Sequence, residues 1–311
     1  MSRARVCVVG DALIDELRWP GRTEVFVGGA GLNVAVGLTQ LRVGAAIVAM
    51  VGEDRAGDEI RAYLASFDVS LWPTVVPVSS RAVSDRTAGE PRYVFNDSAL
   101  NRRIAFDAAQ RTALDAASLV VVSCFPLDDA DQVRLLTDAV RDPGSRLILD
   151  PNPRDHLISD REAFRAGFEK LAASSLLVKI GDEDSMLLYG EPLEVVAPRI
   201  LALGPAAVLA TAGAGGASLL LQSGAVVHRP IRSLADPVVD TMGAGDATLA
   251  TVTATLARDG MPSTEEATGR LLEEAMAVAA ATCRMPGALL RLPGVAAPAT
   301  KGDGHSPASP R

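Results

Sequence analysis

Asp240-Thr241-Met242-Gly243-Ala244-Gly245-Asp246-Ala247 is the stretch on which the reading of this chain turns. It follows Asp236-Pro237-Val238-Val239 and runs directly into Ala247-Thr248-Leu249-Ala250-Thr251-Val252-Thr253-Ala254-Thr255-Leu256, an apolar, Ala-rich segment long enough for a helix. A glycine loop therefore opens a helix. The first turn of a helix carries backbone N–H groups without intrahelical partners and a partial positive charge. Gly243 and Gly245 lack the Cβ that would hold a phosphate or an oxyanion away from that backbone. Asp246 is out of place beside an anion unless it accepts a proton, which makes it a candidate general base for a hydroxyl attacking a phosphoryl group. A helix cap is the plainer reading of the same aspartate, and the octapeptide alone does not separate the two.

The surrounding composition narrows the class. Among 311 residues, 48% are hydrophobic but only 4% aromatic, so the core must be built from Val, Leu, Ile and Ala. Such a core suits a buried, mostly parallel sheet between helices, in one large α/β domain with a small appendage. A formal charge of -8 argues against a nucleic-acid surface or an anionic membrane as partner and favours a small soluble substrate. Cys7, Cys124 and Cys283 are odd in number and lie in apolar settings, which gives no support for a disulfide framework or a Cys-rich zinc site. The first apolar run ends at Gly10-Asp11, too short for a signal peptide or membrane span, so a cytoplasmic protein is expected.

Taken in order, residues 4–10 read as a short buried strand followed by Gly10-Asp11-Ala12-Leu13-Ile14-Asp15. Ligands bind at the carboxyl ends of strands in open α/β sheets, so Asp15 is a candidate for sugar hydroxyls, with a solvated loop acid as the alternative. Residues 16–27 look like extra strands outside the core. Gly28-Gly29-Ala30-Gly31-Leu32-Asn33 then opens a helix with Leu32, Val36, Leu38 and Leu41 at roughly helical spacing, and Asn33 sits in its first turns, where a polyol could be read. A strand at 45–51, the loop Gly52-Glu53-Asp54-Arg55-Ala56-Gly57 and a helix marked by Ile60, Leu64 and Phe67 follow. Residues 71–103 change character: Pro73, Pro77, Gly89 and Pro91 punctuate short β-like runs, predicting a small sheet that covers a site. Its arginines Arg86, Arg92, Arg102 and Arg103 receive no catalytic role.

Beyond this the chain alternates, with strands expected at 119–123, 146–150, 176–180 and 207–211 and helices near 129–141, 161–173, 183–189 and 194–203. That rhythm predicts parallel strands with right-handed crossovers. Asp150-Pro151-Asn152-Pro153-Arg154 bunches an acid, an amide and a guanidinium in a stiff loop. Lys179-Ile180-Gly181-Asp182-Glu183-Asp184 offers carboxylates to a hydrated Mg²⁺, although acids also suit a helix's first turn. Thr211-Ala212-Gly213-Ala214-Gly215-Gly216 is a second glycine loop fit for a nucleotide, and a hairpin follows it. A helix is expected over 264–283, and residues 296–311, rich in Pro, Gly, Ser and Ala, are expected to be a disordered tail.

From about residue 5 to residue 290 the chain resembles the ribokinase-like, or PfkB, family of carbohydrate kinases. The resemblance rests on Asp240–Ala247, on Gly28-Gly29-Ala30-Gly31-Leu32-Asn33-Val34-Ala35 and on Val51–Gly57, in that order and spacing. It implies a central sheet with helices on both faces, a small β lid from 16–27 and 71–103, and one kinase domain over 4–295. It also implies ATP-dependent transfer to a sugar hydroxyl, with Asp246 as base and the N–H groups of Gly243, Ala244 and Gly245 as anion hole. Asp15, Gly29 and Asn33 fall where the family holds its sugar, and Thr211, Gly213 and Gly216 match its nucleotide loop. ATP is then expected across Lys179–Asp184, Thr211–Gly216 and Asp240–Gly245, which brings in Lys179, Asp240 and Thr241, with Arg154 assisting electrostatically. Asp150–Arg154 looks most like the fructokinase branch, and Arg102 beside the lid points the same way to a substrate contact. Kinases for 2-keto-3-deoxygluconate, ribose or a nucleoside are the alternatives within the family.

The chain also departs from the family pattern. Where the family often has Asn-x-x-Glu for Mg²⁺ and its waters, this chain has Gly181-Asp182-Glu183-Asp184, which leaves Glu183 or Asp184 to substitute. Met242 bears on any monovalent-cation site, so K⁺ stays an open addition to ATP and Mg²⁺. The altered block keeps a non-catalytic sugar or nucleotide sensor in view. A dinucleotide oxidoreductase is disfavoured, because no Gly-x-Gly-x-x-Gly follows the first strand. Exposed lid strands would allow a homodimer through the lid.

Overall fold

The computed structural model describes residues 5–85, 92–285 and 287–294. The expected tail at 296–311 and the lid positions Arg86, Gly89, Glu90 and Pro91 lie outside them. Its strands are β1 (Val6–Gly10), β2 (Leu13–Trp19), β3 (Arg22–Gly28), β4 (Ala45–Gly52), β5 (Ser70–Val76), β6 (Arg81–Asp85), β7 (Arg92–Phe95), β8 (Leu119–Ser123), β9 (Leu147–Asp150), β10 (Leu177–Gly181), β11 (Ala207–Thr211), β12 (Ala217–Leu221) and β13 (Val226–Arg229). The helices are α1 (Ala30–Gln40), α2 (Arg55–Ser66), α3 (Asp97–Leu100), α4 (Ala108–Ala116), α5 (Ala130–Ala139), α6 (Pro143–Arg146), α7 (Arg161–Ala172), α8 (Asp182–Tyr189), α9 (Leu193–Ala202), α10 (Ala244–Asp259) and α11 (Glu265–Thr282).

A nine-stranded sheet runs β13-β12-β11-β10-β9-β8-β1-β4-β5. It is parallel from β5 through β11 and antiparallel only at the β11–β12–β13 end. Side chains alternate between its faces along each strand. Val6, Val8, Ile47 and Val121 pack with Leu38, Leu64, Leu249 and Leu272 of α1, α2, α10 and α11. Cys7, Val9, Val48 and Val120 pack with Leu114, Leu136, Phe168 and Val196 of α4, α5, α7 and α9. Burial on both faces is why these strands read as continuous apolar runs rather than alternating ones.

A second sheet of four strands, ordered β3-β2-β6-β7, stands apart from the first. Here the structure corrects the expected lid boundaries. Residues 70–76 pair in parallel with β4, from Ala46↔Ser70 to Gly52↔Val76, and so belong to the main sheet as its edge strand. Its Pro73 is tolerated there because an edge strand leaves half its N–H groups unpaired. The second sheet also begins earlier than expected, at Leu13, which puts Asp15 on a strand rather than in a loop.

The sheets and helices converge at the carboxyl ends of the parallel strands. There β1 and α1 touch backbone to backbone: a Cβ on Gly10 would meet Ser123 O at 2.3 Å, and one on Gly31 would meet Gly10 Cα at 2.8 Å. At the ends of β9 and β10 lies a buried ion pair, Lys179 Nζ to Asp150 Oδ1 at 3.0 Å, with Asp150 0% and Lys179 5% exposed. Burial works against the Lys179 ammonium, but Asp150 and then Asp184 outweigh it and hold its pKa above the usual lysine value. Removing one partner strands the other charge in the core. Lys179→Met should therefore cost about 3–5 kcal/mol of unfolding free energy in urea titrations, and adding Asp150→Asn should recover part of that loss. A Lys179→Met chain as stable as the parent would show that the pair carries no such weight.

Candidate active site

Asp246 stands in the first turn of α10, only 9% exposed. The preceding turn is forced by glycine: Gly243 has φ 77, and a Cβ there would meet Ala288 O at 2.5 Å. Asp240 holds this turn from within, its Oδ1 accepting from the Met242 N–H at 3.0 Å and its Oδ2 from the Gly287 N–H at 3.1 Å. The Asp240 carboxylate is thus used up by backbone, unlike the nucleotide contact expected of it, and Thr241 turns its carbonyl to the Ala244 N–H at 3.3 Å. Ala244 is therefore a lesser member of the expected N–H cradle. Among the described residues, the N–H groups of Gly243, Gly245 and Asp246 make no hydrogen bond, and they are the donors the helix start leaves open.

The base candidate is held from a second helix. Asn33 Nδ2, near the start of α1, donates to Asp246 Oδ2 at 2.9 Å. That start is itself tied to the end of β1 by Asp11, whose Oδ1 accepts from the Gly31 N–H at 3.1 Å and whose carbonyl accepts from the Leu32 N–H at 3.0 Å. Gly29, at φ 108, allows the crossing, since a Cβ there would meet Asp11 O at 2.7 Å. Gly29 thus shapes the backbone of the cleft, and Asn33 keeps its amide oxygen for a further donor. Asp15 reaches in from β2, half-buried, with its carboxylate over Gly28, where a Cβ would meet Asp15 Oδ2 at 2.3 Å.

The cleft is crowded with carboxylates. Burial pushes Asp246 up to about 6; the Asn33 hydrogen bond opposes it, Asp150 adds to it, and Lys179 and Arg154 pull it back. Burial likewise pushes Asp15 up to about 7, with Asp11 and Asp246 adding and Arg154 opposing. The Arg154 side chain makes no hydrogen bond or ion pair among the described residues, yet its field reaches both carboxylates. The Asp150–Arg154 loop that carries it is bent by Asn152, a non-glycine residue at φ 37.

Other expected site residues are placed differently. Arg102 gives Nη1 to Cys124, donating to its carbonyl at 2.9 Å and to Sγ at 3.2 Å, which anchors the side chain while Nε and Nη2 have no partner among the described residues. Lys179 lies under the glycine turn, its Nζ 3.6 Å from where a Gly245 Cβ would stand, and is committed to Asp150 rather than open to nucleotide. Thr211 ends β11 opposite Gly181, and the turn at Gly213–Gly215 leaves Gly213 facing open space. Gly216, at φ 92, is required because a Cβ there would meet Arg229 O at 2.2 Å.

For a divalent cation, Asp184 and Glu183 part company. Asp184 Oδ2 accepts from the Gly181 N–H at 2.8 Å and acts on both Asp150 and Lys179, so it belongs to the cleft. Glu183 is exposed and joined to none of them. The described residues contain no group of three or more His, Cys, Asp or Glu side chains arranged to hold a metal. That donor set fits Mg²⁺ met through water by one carboxylate, and does not fit a fully protein-built cage. Sequence reasoning gave Asp11 and Cys124 no part in the site and noted Asp150 in its polar loop without a role. Asp11 and Asp150 each stand at the end of a parallel strand, which was the available signal.

With this geometry in view, the comparisons are specific. The model of the pfkB family carbohydrate kinases matches residues 3–293. A fructokinase of Rhizobium leguminosarum bv. trifolii is 30% identical over 267 residues, covering 81% of this chain and 79% of that protein. The solved fructokinase of Xylella fastidiosa with bound ATP superposes with a TM-score of 0.77 at 22% identity, over 92% of this chain and 94% of that one. A double-mutant fructokinase of Vibrio cholerae bound to fructose, ADP and potassium ion superposes with a TM-score of 0.75 at 21% identity, over 94% and 96%. By its two glycine turns, its nine-stranded sheet with a four-stranded companion, and this similarity over nearly its whole length, the chain belongs to the PfkB family of carbohydrate kinases.

Proposed function

We propose that the chain transfers the γ-phosphoryl group of ATP to a hydroxyl of a neutral ketose, fructose first among them. The observation that carries this reading is Asp246, lifted to about 6 and held by Asn33 at a helix start with open N–H donors. A base with a pKa near neutral accepts a proton from an attacking hydroxyl without being permanently protonated. In the reaction the sugar oxygen forms its bond to the γ-phosphorus as the bond from that phosphorus to the ADP oxygen breaks, and the hydroxyl proton goes to Asp246. The N–H groups of Gly243, Gly245 and Asp246 meet the charge on the transferring oxygens. Asp184 would meet Mg²⁺ through water, and the ion would supply charge neutralisation between the phosphates.

The electrostatics favour a neutral acceptor over a sugar acid. Asp11, Asp15 and Asp246 act together around Arg154, three carboxylates against one guanidinium, and Arg102 is anchored to Cys124 through Nη1. A substrate carboxylate would join a set of acids that already raise one another, whereas hydroxyls hydrogen-bond to Asp15 and Asn33. The second sheet, β3-β2-β6-β7, carries Asp15 and is the element that would exclude water on closing. Its exposed Val25 and Val94 would serve a pairing of two lids in a homodimer. No described helix is long and apolar enough to cross a membrane.

A coupled ADP-release assay against fructose, ribose, 2-keto-3-deoxygluconate and nucleosides, with Mg·ATP and with or without K⁺, tests the acceptor. Fructose should turn over fastest; preference for the sugar acid would overturn the neutral-acceptor reading, and ATP binding without turnover of any sugar would favour a sensor. Asp246→Asn should lower kcat by about 10²-fold or more while nucleotide affinity measured by calorimetry changes little. The kcat/KM of the parent should fall as pH drops through about 7 to 6, as Asp15 and Asp246 take up protons. Stability runs the opposite way. An acid whose folded pKa is raised binds its proton better folded, so its contribution is full below the unfolded value and is lost as pH rises toward about 7. Asp15→Asn should therefore gain in stability relative to the parent as pH rises from 4 to 7 in urea titrations.

A further inference from the structure

Away from this cleft, a second cavity of about 660 Å³ opens between the end of α11, the extended segment 234–239 and the chain at 290–294. None of Thr211–Gly216 or Gly243–Asp246 lines it. Its walls are mostly apolar, with Leu234, Pro237, Met285 and Leu292 among them and Gln40, Asp236, Arg284 and Arg291 as the polar side chains. A volume of this size, apolar with few convergent polar groups, is the usual form of a small-molecule site.

An independent observation concerns hydrogen bonding. Among the described residues three buried side-chain atoms lack a partner, and two of them, Gln40 Oε1 and Arg291 Nε, belong to residues lining this cavity. The Arg291 side chain makes no hydrogen bond or ion pair among the described residues. Arg284 gives Nε to Asp236 O and Nη1 to Ala280 O, leaving its other terminal nitrogen uncommitted. The cavity thus sets two guanidinium groups against one carboxylate, Asp236, and one amide, Gln40, across an apolar floor, and the balance of charge is positive.

We propose that this cavity is a second ligand site, for a small organic anion with an apolar body and a hydroxyl or N–H group. The carboxylate or phosphate of the ligand meets Arg291 and Arg284, its donor meets Gln40, and its body lies on Leu234, Met285 and Leu292. The two walls are joined to the catalytic turn. The Val239 and Asp240 N–H groups donate to Cys283 O, and the Asp240 carboxylate accepts from Gly287. Occupancy is read without turnover, so the test stands whether or not the proposed acceptor is right.

The experiment uses the full chain with its nucleotide site filled by Mg²⁺ and a non-hydrolysable ATP analogue. 4-Hydroxyphenylacetate and 4-hydroxyphenyl phosphate are titrated while the methyl NMR signals of Met285 and Leu292 are followed. Saturable shifts with a Kd below about 1 mM are expected, and the stronger of the two probes tells carboxylate from phosphate. Arg291→Met should weaken binding about tenfold or more, the scale of one charge-assisted hydrogen bond. Gln40→Leu, at the cavity edge, should weaken it less and serves if Arg291→Met fails to fold. No saturable shift with either probe up to about 10 mM, or binding untouched by both variants, would overturn the site.

Discussion

Two helix starts meet in one cleft, and the hydrogen bond from Asn33 to Asp246 is where they join. The start of α10 leaves N–H groups open, while those of Gly31 and Leu32 at the start of α1 are met by Asp11, and the dipoles of both helices concentrate partial positive charge at one place. That convergence rests on how closely α1 can approach the sheet. Gly10 and Gly31 lie backbone against backbone, and side chains at either position would push α1, and Asn33 with it, away from Asp246.

The positive potential of the helix starts is set against an excess of carboxylates. Asp11 spends its oxygens on the start of α1, Asp150 is neutralised by Lys179, and Asp240 is tied to the backbone around the glycine turn. The acids left for chemistry are Asp15 and Asp246, which burial lifts toward neutrality; burial raises Asp150 as well, but there Lys179 opposes it directly. Division of labour among the acids therefore follows from their hydrogen bonds. Those with internal partners build the site, and those with few partners are free to exchange protons.

Much of this was legible along the chain. The strands at 119–123 and 207–211 were read at their observed bounds, because buried β-branched runs between turn residues have few other uses. The glycine turn before α10 and the position of Asp246 in its first turn were equally plain. The edge strand β5 was misplaced, since Pro73 and the polar residues around it are as compatible with a sheet edge as with a lid, and only its parallel register with β4 distinguishes them. Lys179, Asp240 and Arg102 were matched to ligands although each is bonded to protein, through partners 29, 47 and 22 residues distant.

By itself the sequence determined the parallel α/β architecture, the glycine loops at strand ends and the aspartate that opens α10. Hydrophobic runs, φ requirements and helix starts are local properties, so they can be read from neighbours in the chain. Only the tertiary structure decided which polar side chains face the cleft and which are consumed within it. Hydrogen-bond partners are fixed by strand register and helix approach, and those bring together residues such as Asn33 and Asp246 that lie 213 positions apart.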